Sequence, residues 1–190
     1  MTTELHVPSR ILMGPGPSDV HPRVLRAMSM PLVGHLDPEF LAIMDRTKAM
    51  LQWLFQTKND LTFTVAATGS AGMETVLVNL IEEGDEVVVC VTGVFGERMC
   101  DIVERVRGKL IRVAAPWGRI VEPADVKKAL STCRAKLVAI VHAETSTGAW
   151  QPLEEIGRLV HEHGALFVTD HVTALGGCEV TVDDWGIDAA

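Results

Sequence analysis

The chain of 190 residues carries 17 Lys and Arg against 25 Asp and Glu, a formal net charge of −8. That balance argues against a nucleic-acid partner, because phosphate binding calls for a clustered basic surface. Hydrophobic residues at 47% and charged residues at 22% exclude a disordered or fibrous chain, and the length suits one large domain or one domain with a small appendage.

Met1 to Arg10 contains no continuous apolar core, so a secretory signal is not expected, and no run approaches membrane-spanning length. Met13-Gly-Pro-Gly-Pro17 can form neither helix nor central strand, since Pro15 and Pro17 lack N–H donors. Residues 1–36 are therefore expected to form an arm, with weak helical character from Ser18 to Met30. Asp37-Pro38 supplies a cap followed by proline at the first helical position, opening a helix to about Phe55 with Leu41, Met44, Met50, Leu51 and Leu54 on a broad apolar face.

Leu61 to Ala67 has the composition of a strand and runs into Thr68-Gly69-Ser70-Ala71-Gly72. Met73, Val76, Leu77, Leu80 and Ile81 then form an amphipathic stripe, with Gly84 expected as the C-terminal cap. Glu86 to Val91 is the next predicted strand. The following helix has the stripe Phe95, Met99, Ile102, Val103 and Val106 and is expected to close at Gly108. Lys109 to Val113 is strand-like, Glu122-Pro123 starts a helix toward Leu130, and Leu137 to Val141 is a buried strand ending in the polar stretch His142 to Gly148. Gln151-Pro152 opens a helix with Leu153, Ile156 and Val160 inward and Gly164 at its end. Ala165 to Val168 is a strand that runs into Asp170.

Strands alternating with helices predict an α/β fold, a doubly wound and mostly parallel sheet with right-handed crossovers. In such sheets ligands bind beyond the carboxyl ends of the strands, so Thr68-Gly69-Ser70, Phe95, Glu144-Thr145 and Asp170 become neighbours. Each feature has two readings. The Thr68-Gly69-Ser70 turn is either a helix cap or a cup for an anion at a helix N-terminus. Phe95 is either the first residue of a core stripe or an aromatic plate. Asp170 either caps a turn or faces a ligand, with Val172 on its side of the strand and His171 turned away. His142 and Glu144 lack a third ligand at recognisable spacing, so no metal site is assigned. The cysteines Cys90, Cys100, Cys133 and Cys178 form no C-x-x-C pair and read as buried thiols of a reducing compartment, so a cytoplasmic protein is expected.

Gly-Pro-Gly-Pro at 14–17, Phe-Gln-Thr-Lys-Asn at 55–59, Thr-Gly-Ser-Ala-Gly-Met-Glu at 68–74, Gly-Val-Phe-Gly-Glu-Arg at 93–98, His-Ala-Glu-Thr-Ser-Thr-Gly at 142–148 and Asp-His-Val-Thr-Ala-Leu-Gly-Gly at 170–177 stand in this order. Together they resemble the class V aminotransferases of the fold type I group, in particular the alanine-glyoxylate, serine-glyoxylate and ureidoglycine-glyoxylate branch. The resemblance implies a pyridoxal 5'-phosphate enzyme that moves an amino group from alanine, serine or ureidoglycine to glyoxylate or pyruvate, working as a homodimer. It implies that Thr68, Gly69 and Ser70 hold the cofactor's phosphate and that Phe95 and Val172 lie on opposite faces of its ring. Thr145 would bond the phenolic oxygen, Asp170 would pair with the ring nitrogen, and Gly16 would border the substrate. In the family the cofactor is carried as a Schiff base on a lysine a short way beyond the segment Trp185 to Ala190, whereas the last lysine here is Lys136. Residues 37–190 are thus expected to be the N-terminal portion of the cofactor-binding large domain, incomplete at its C-terminus, and inactive in transamination by themselves. Other reactions on the same scaffold, a desulfurase or a lyase, and a non-catalytic fragment that binds cofactor or phosphate, are the alternatives.

Overall fold

A computed structural model describes residues 4–190; Met1 to Thr3, with which the leaderless reading of the N-terminus begins, lie outside the described residues. The chain forms two units, Met1–Ile43 and Met44–Ala190. The first contains the bend at 14–17 and a short helix, α1 (Pro22–Met28). Helix α2 (Pro38–Phe55) begins in the first unit and continues into the second; none of its residues is buried, and of the predicted apolar stripe Leu41, Met44, Met50 and Leu54 are exposed, Met50 at 62%, while Leu51 is half-buried.

The second unit is built on four parallel strands. They are β1 (Glu86–Val91), β2 (Lys109–Ala114), β3 (Ala135–Val141) and β6 (Leu166–Asp170), in the order β2-β1-β3-β6. A small antiparallel pair, β4 (Ala143–Glu144) with β5 (Ala149–Trp150), closes the polar stretch after β3. Because alternate strand residues face opposite sides, Val88, Cys90, Val138, Ile140 and Phe167 enter one core, and Val87, Val89, Leu137, Ala139 and Val168 enter the other. Helices α5 (Pro123–Leu130) and α6 (Glu154–His163) cover the first side through Val126, Leu130, Ile156 and Val160. Helices α3 (Gly69–Leu80) and α4 (Val94–Arg105) cover the second through Leu77, Met99 and Val103. The result is the doubly wound parallel sheet expected from the alternation of elements. Among the described residues no helix is long and apolar enough to cross a membrane.

Four local expectations are corrected. Of the cysteines expected to be buried, Cys133 is half-buried and Cys178 is exposed. Leu61 to Ala67 is not a strand: it has no ladder partner, and Leu61, Phe63 and Val65 are exposed. Extended backbone becomes sheet only where another strand supplies the hydrogen bonds, which no local pattern can guarantee. Gly84 does not cap α3, which ends at Leu80; its left-handed backbone (φ 89°) instead turns the chain toward β1, and its N–H donates to the Arg107 carbonyl (2.9 Å). After α4 the left-handed residue is Arg107 (φ 62°), not Gly108. Gly108 serves close packing, since a Cβ there would lie 3.0 Å from Val103 Cγ1. Gly164, at φ 85°, does end α6 in the left-handed conformation that glycine adopts most easily.

Candidate active site

The strand order brings the carboxyl ends of β1, β3 and β6 together, and Val141 is in register with Asp170. There a cavity of about 130 Å³ is lined by Thr68, Gly69, Ser70 and Met73 of the α3 terminus, Phe95 of α4, Val141, Ala143 and Thr145 around the end of β3, and Asp170, Val172 and Thr173. Thr68, Gly69, Ser70, Phe95, Thr145, Asp170 and Val172 thus share one cavity. Gly16 lies in the bend at 14–17 of the first unit and is not among the lining residues.

The α3 terminus is presented to this space without a cap of its own. Thr68 precedes the helix, yet its hydroxyl makes no capping hydrogen bond. The Thr68 carbonyl accepts from Ala71 and Gly72, which leaves the N–H groups of Gly69 and Ser70 without an intrahelical acceptor. Such a terminus carries partial positive charge and suits an anion. Gly69 is required there by packing, because a Cβ would fall 2.7 Å from Val172 Cγ2.

Asp170 ends β6 with one hydrogen bond to its carboxylate, the Val172 N–H donating to Oδ1 at 2.9 Å. Burial pushes the Asp170 carboxyl above the usual carboxylate range; nearby Glu144 adds to that, while the Val172 N–H and the charge of Arg98 oppose it. A carboxylate held so, beside a cavity, has one N–H donor and no ion pair, fewer partners than its ionised form can use. Phe95 packs against the α3/α4 core and also lines the cavity. Val172 lines the same space with 68% of its surface accessible. Thr145 and Thr173 join hydroxyl to hydroxyl at the rim.

His142 and Glu144 have structural partners. The Glu144 carboxylate, 1% exposed, accepts from the N–H groups of Phe95 (3.2 Å) and Gly96 (3.3 Å) and from the Ser146 hydroxyl (2.6 Å). It is a carboxylate cap for α4 and so fixes the backbone that carries Phe95. His142 Nδ1 meets His171 Nδ1 at 3.0 Å, and His171 Nε2 meets Thr169 Oγ1 at 2.6 Å, on the face of β6 away from the cavity. Burial, together with His142, pushes the His171 imidazole down to about 3, and burial alone lowers His142, so the pair is neutral at ordinary pH. The residues that sequence reasoning missed are Thr173, Met73 and Arg98. Arg98 follows Phe95 by three positions and so shares its helix face, the one local signal that could have found it.

Comparison with known proteins gives this cavity its context. Residues 12–190 match the family of aminotransferase class-V proteins. The chain belongs to the class-V aminotransferases. Its relatives include the (S)-ureidoglycine–glyoxylate transaminase of Bacillus subtilis, 45% identical over 98% of this chain and 45% of that protein. The alanine–glyoxylate aminotransferase of Drosophila melanogaster is 41% identical over 98% of this chain and 48% of its own length. Among solved structures, the alanine–glyoxylate aminotransferase of a Nostoc species superposes with a TM-score of 0.97 at 47% identity, covering 100% of this chain and 50% of that one. The chain therefore spans about half the length of the relatives it matches.

Class-V aminotransferases are pyridoxal-phosphate enzymes, and the donor set here fits that group. An uncapped helix terminus with two hydroxyls suits a phosphate, an aromatic plate and an exposed valine suit the two faces of a flat ring, and an under-partnered, half-buried carboxylate suits a ring N–H.

Proposed function

We propose that this chain carries the pyridoxal 5'-phosphate site of an aminotransferase that moves an amino group from alanine, serine or ureidoglycine to glyoxylate or pyruvate. The observation that supports it is the convergence of Asp170, Val172, Phe95 and the α3 terminus on one cavity, since these are distant in sequence and complementary in chemistry. The names of the relatives, alanine–glyoxylate and ureidoglycine–glyoxylate aminotransferases, support the choice of substrates.

When bound, the cofactor supplies an electron-withdrawing ring that stabilises the charge left as the substrate's α-proton departs. The protein's part is binding, orientation and proton placement. Thr68, Gly69 and Ser70 bind the phosphate oxygens through N–H and hydroxyl donors. Asp170 holds a proton at the ring nitrogen through a charge-assisted hydrogen bond, which in turn satisfies its own carboxylate. Phe95 and Val172 restrain the two ring faces and keep water from them, and Thr145 donates to the phenolic oxygen. The protein acts as a cytoplasmic homodimer; the exposed apolar side chains Met44, Met50 and Trp53 on α2 support the pairing of subunits.

The test is to add pyridoxal 5'-phosphate to the intact protein, record the visible spectrum, and then follow glycine formation from glyoxylate with each amino donor. Glycine formed with alanine, serine or ureidoglycine is expected. A protein that binds the cofactor but releases sulfur from cysteine instead of transaminating would overturn the substrate assignment, and one that leaves the spectrum unchanged would overturn the cofactor site.

A further inference from the structure

Arg98 lies on α4 one turn beyond Phe95, half-buried, and makes no salt bridge among the described residues. A guanidinium withdrawn from water without a carboxylate partner is an unusual arrangement. Two contacts account for its position. Its Nη1 donates to the hydroxyl of Ser70, and its Cζ stands 5.0 Å from the centroid of the Phe95 ring. One cation thus touches the first turn of α3 and the aromatic plate of α4.

The direction of the Ser70 bond is set by chemistry. A guanidinium has only donors, so the Ser70 oxygen must accept, and the hydroxyl's own hydrogen is left to be given elsewhere. Because Ser70 lines the cavity, that hydrogen is available to a group inside it, and the group must be an acceptor. A free serine hydroxyl offers one hydrogen and two lone pairs; with one lone pair occupied by Arg98, this one is biased toward donation. The uncapped N–H groups of Gly69 and Ser70 make the same demand, for a ligand end made of acceptor oxygens.

We propose that Arg98 is a positioning residue for the anion end of this cavity, biasing the Ser70 hydroxyl to donate to a phosphate monoester. The proposal rests on the cofactor reading above, and deepens it by naming a cation that acts through Ser70. Its effect should belong to the phosphate and not to the ring, because the bond it controls points to the phosphate end.

The experiment is a double-mutant cycle on cofactor-stripped intact protein, with dissociation constants measured by tryptophan fluorescence for pyridoxal 5'-phosphate, pyridoxal and inorganic phosphate. The variants are Arg98→Met, Arg98→Lys, Ser70→Ala and the Arg98→Met/Ser70→Ala pair, each with a melting curve. Losing a hydrogen bond to a charged group predicts that Arg98→Met weakens pyridoxal 5'-phosphate by about 10- to 100-fold. Pyridoxal should weaken by less than about threefold if the bond acts only on the phosphate end. The double variant should lose little more than Ser70→Ala alone, since Arg98 then has no hydroxyl to orient. Inorganic phosphate should compete in the parent and compete poorly in Arg98→Met. Arg98→Lys, which keeps a charged donor for Ser70, should retain most of the affinity, and if Arg98→Met does not fold the cycle is run with Arg98→Leu. Additive losses, or equal losses for pyridoxal and its phosphate, would overturn the role of Arg98 while leaving the cofactor site standing. A parent protein that binds none of the three ligands would overturn the cofactor reading and this proposal together.

Discussion

Replacing Asp170 by asparagine separates what the carboxylate does for the fold from what it does for chemistry. The amide has nearly the same shape and can still accept the Val172 N–H, which donates to Oδ1 at 2.9 Å. The folded-state carboxyl titrates above its ordinary value because of burial, so the folded protein binds more protons than the unfolded one between that value and the raised one. Over that window stability falls as pH rises, and the deficit persists above the raised value, where the group is ionised and under-partnered. Asp170→Asn removes it, so the cofactor-free variant should melt at the same temperature as the parent or slightly higher near neutrality. With cofactor the sign reverses, because the parent gains a charge-assisted pair that the variant cannot form. Losing one partner of a buried pair costs about 3–5 kcal/mol. At about 1.4 kcal/mol per tenfold change, a barrier raised by that amount slows the reaction by roughly two to four powers of ten. The assay is the single-turnover rate of the amino-donor half-reaction, with melting curves taken with and without pyridoxal 5'-phosphate. A variant that reacts within a factor of a few of the parent, or gains as much thermal stability from the cofactor as the parent does, would make Asp170 a structural cap and refute the reasoning.

Glu144→Gln should cost about 2–3 kcal/mol in denaturant unfolding, because it weakens the charged cap and turns an NH₂ toward the N–H groups of Phe95 and Gly96; an unchanged midpoint would show that α4 needs no anionic cap. The His142–His171 pair gives an acid-dependent loss of stability of defined sign. His171 is neutral in the fold down to about 3 and titrates near 6.5 when unfolded, so its contribution is complete above 6.5 and lost as pH falls toward 3. Replacing His171 by Gln should flatten the fall in the unfolding midpoint between about pH 6.5 and about pH 4, whereas an identical slope would place the acid sensitivity elsewhere.

Much of the architecture was legible in the chain itself. Val87 to Val91 and Leu137 to Val141 are apolar without interruption, which only a strand covered on both faces requires, and the helices between them carry their stripes at helical spacing. The side of β6 on which Asp170 and Val172 emerge follows from the two-residue period of a strand, as does the turning of His171 toward His142. What tertiary structure decided were choices between residues far apart in sequence. Leu61 to Ala67 has a strand's composition and yet no ladder, because pairing depends on a neighbour that composition does not specify. Thr68 looks like a cap and does not cap, while Glu144, 51 residues beyond Gly93, caps α4 across the sheet edge. Arg98 reached significance only when α3 and α4 were laid side by side, bringing its guanidinium to Ser70. Periodicity and local propensity are properties of neighbours along the chain and can be read from it. The direction of a hydrogen bond between residues 70 and 98, or the protonation of a buried carboxyl, is set by what packing leaves available in three dimensions.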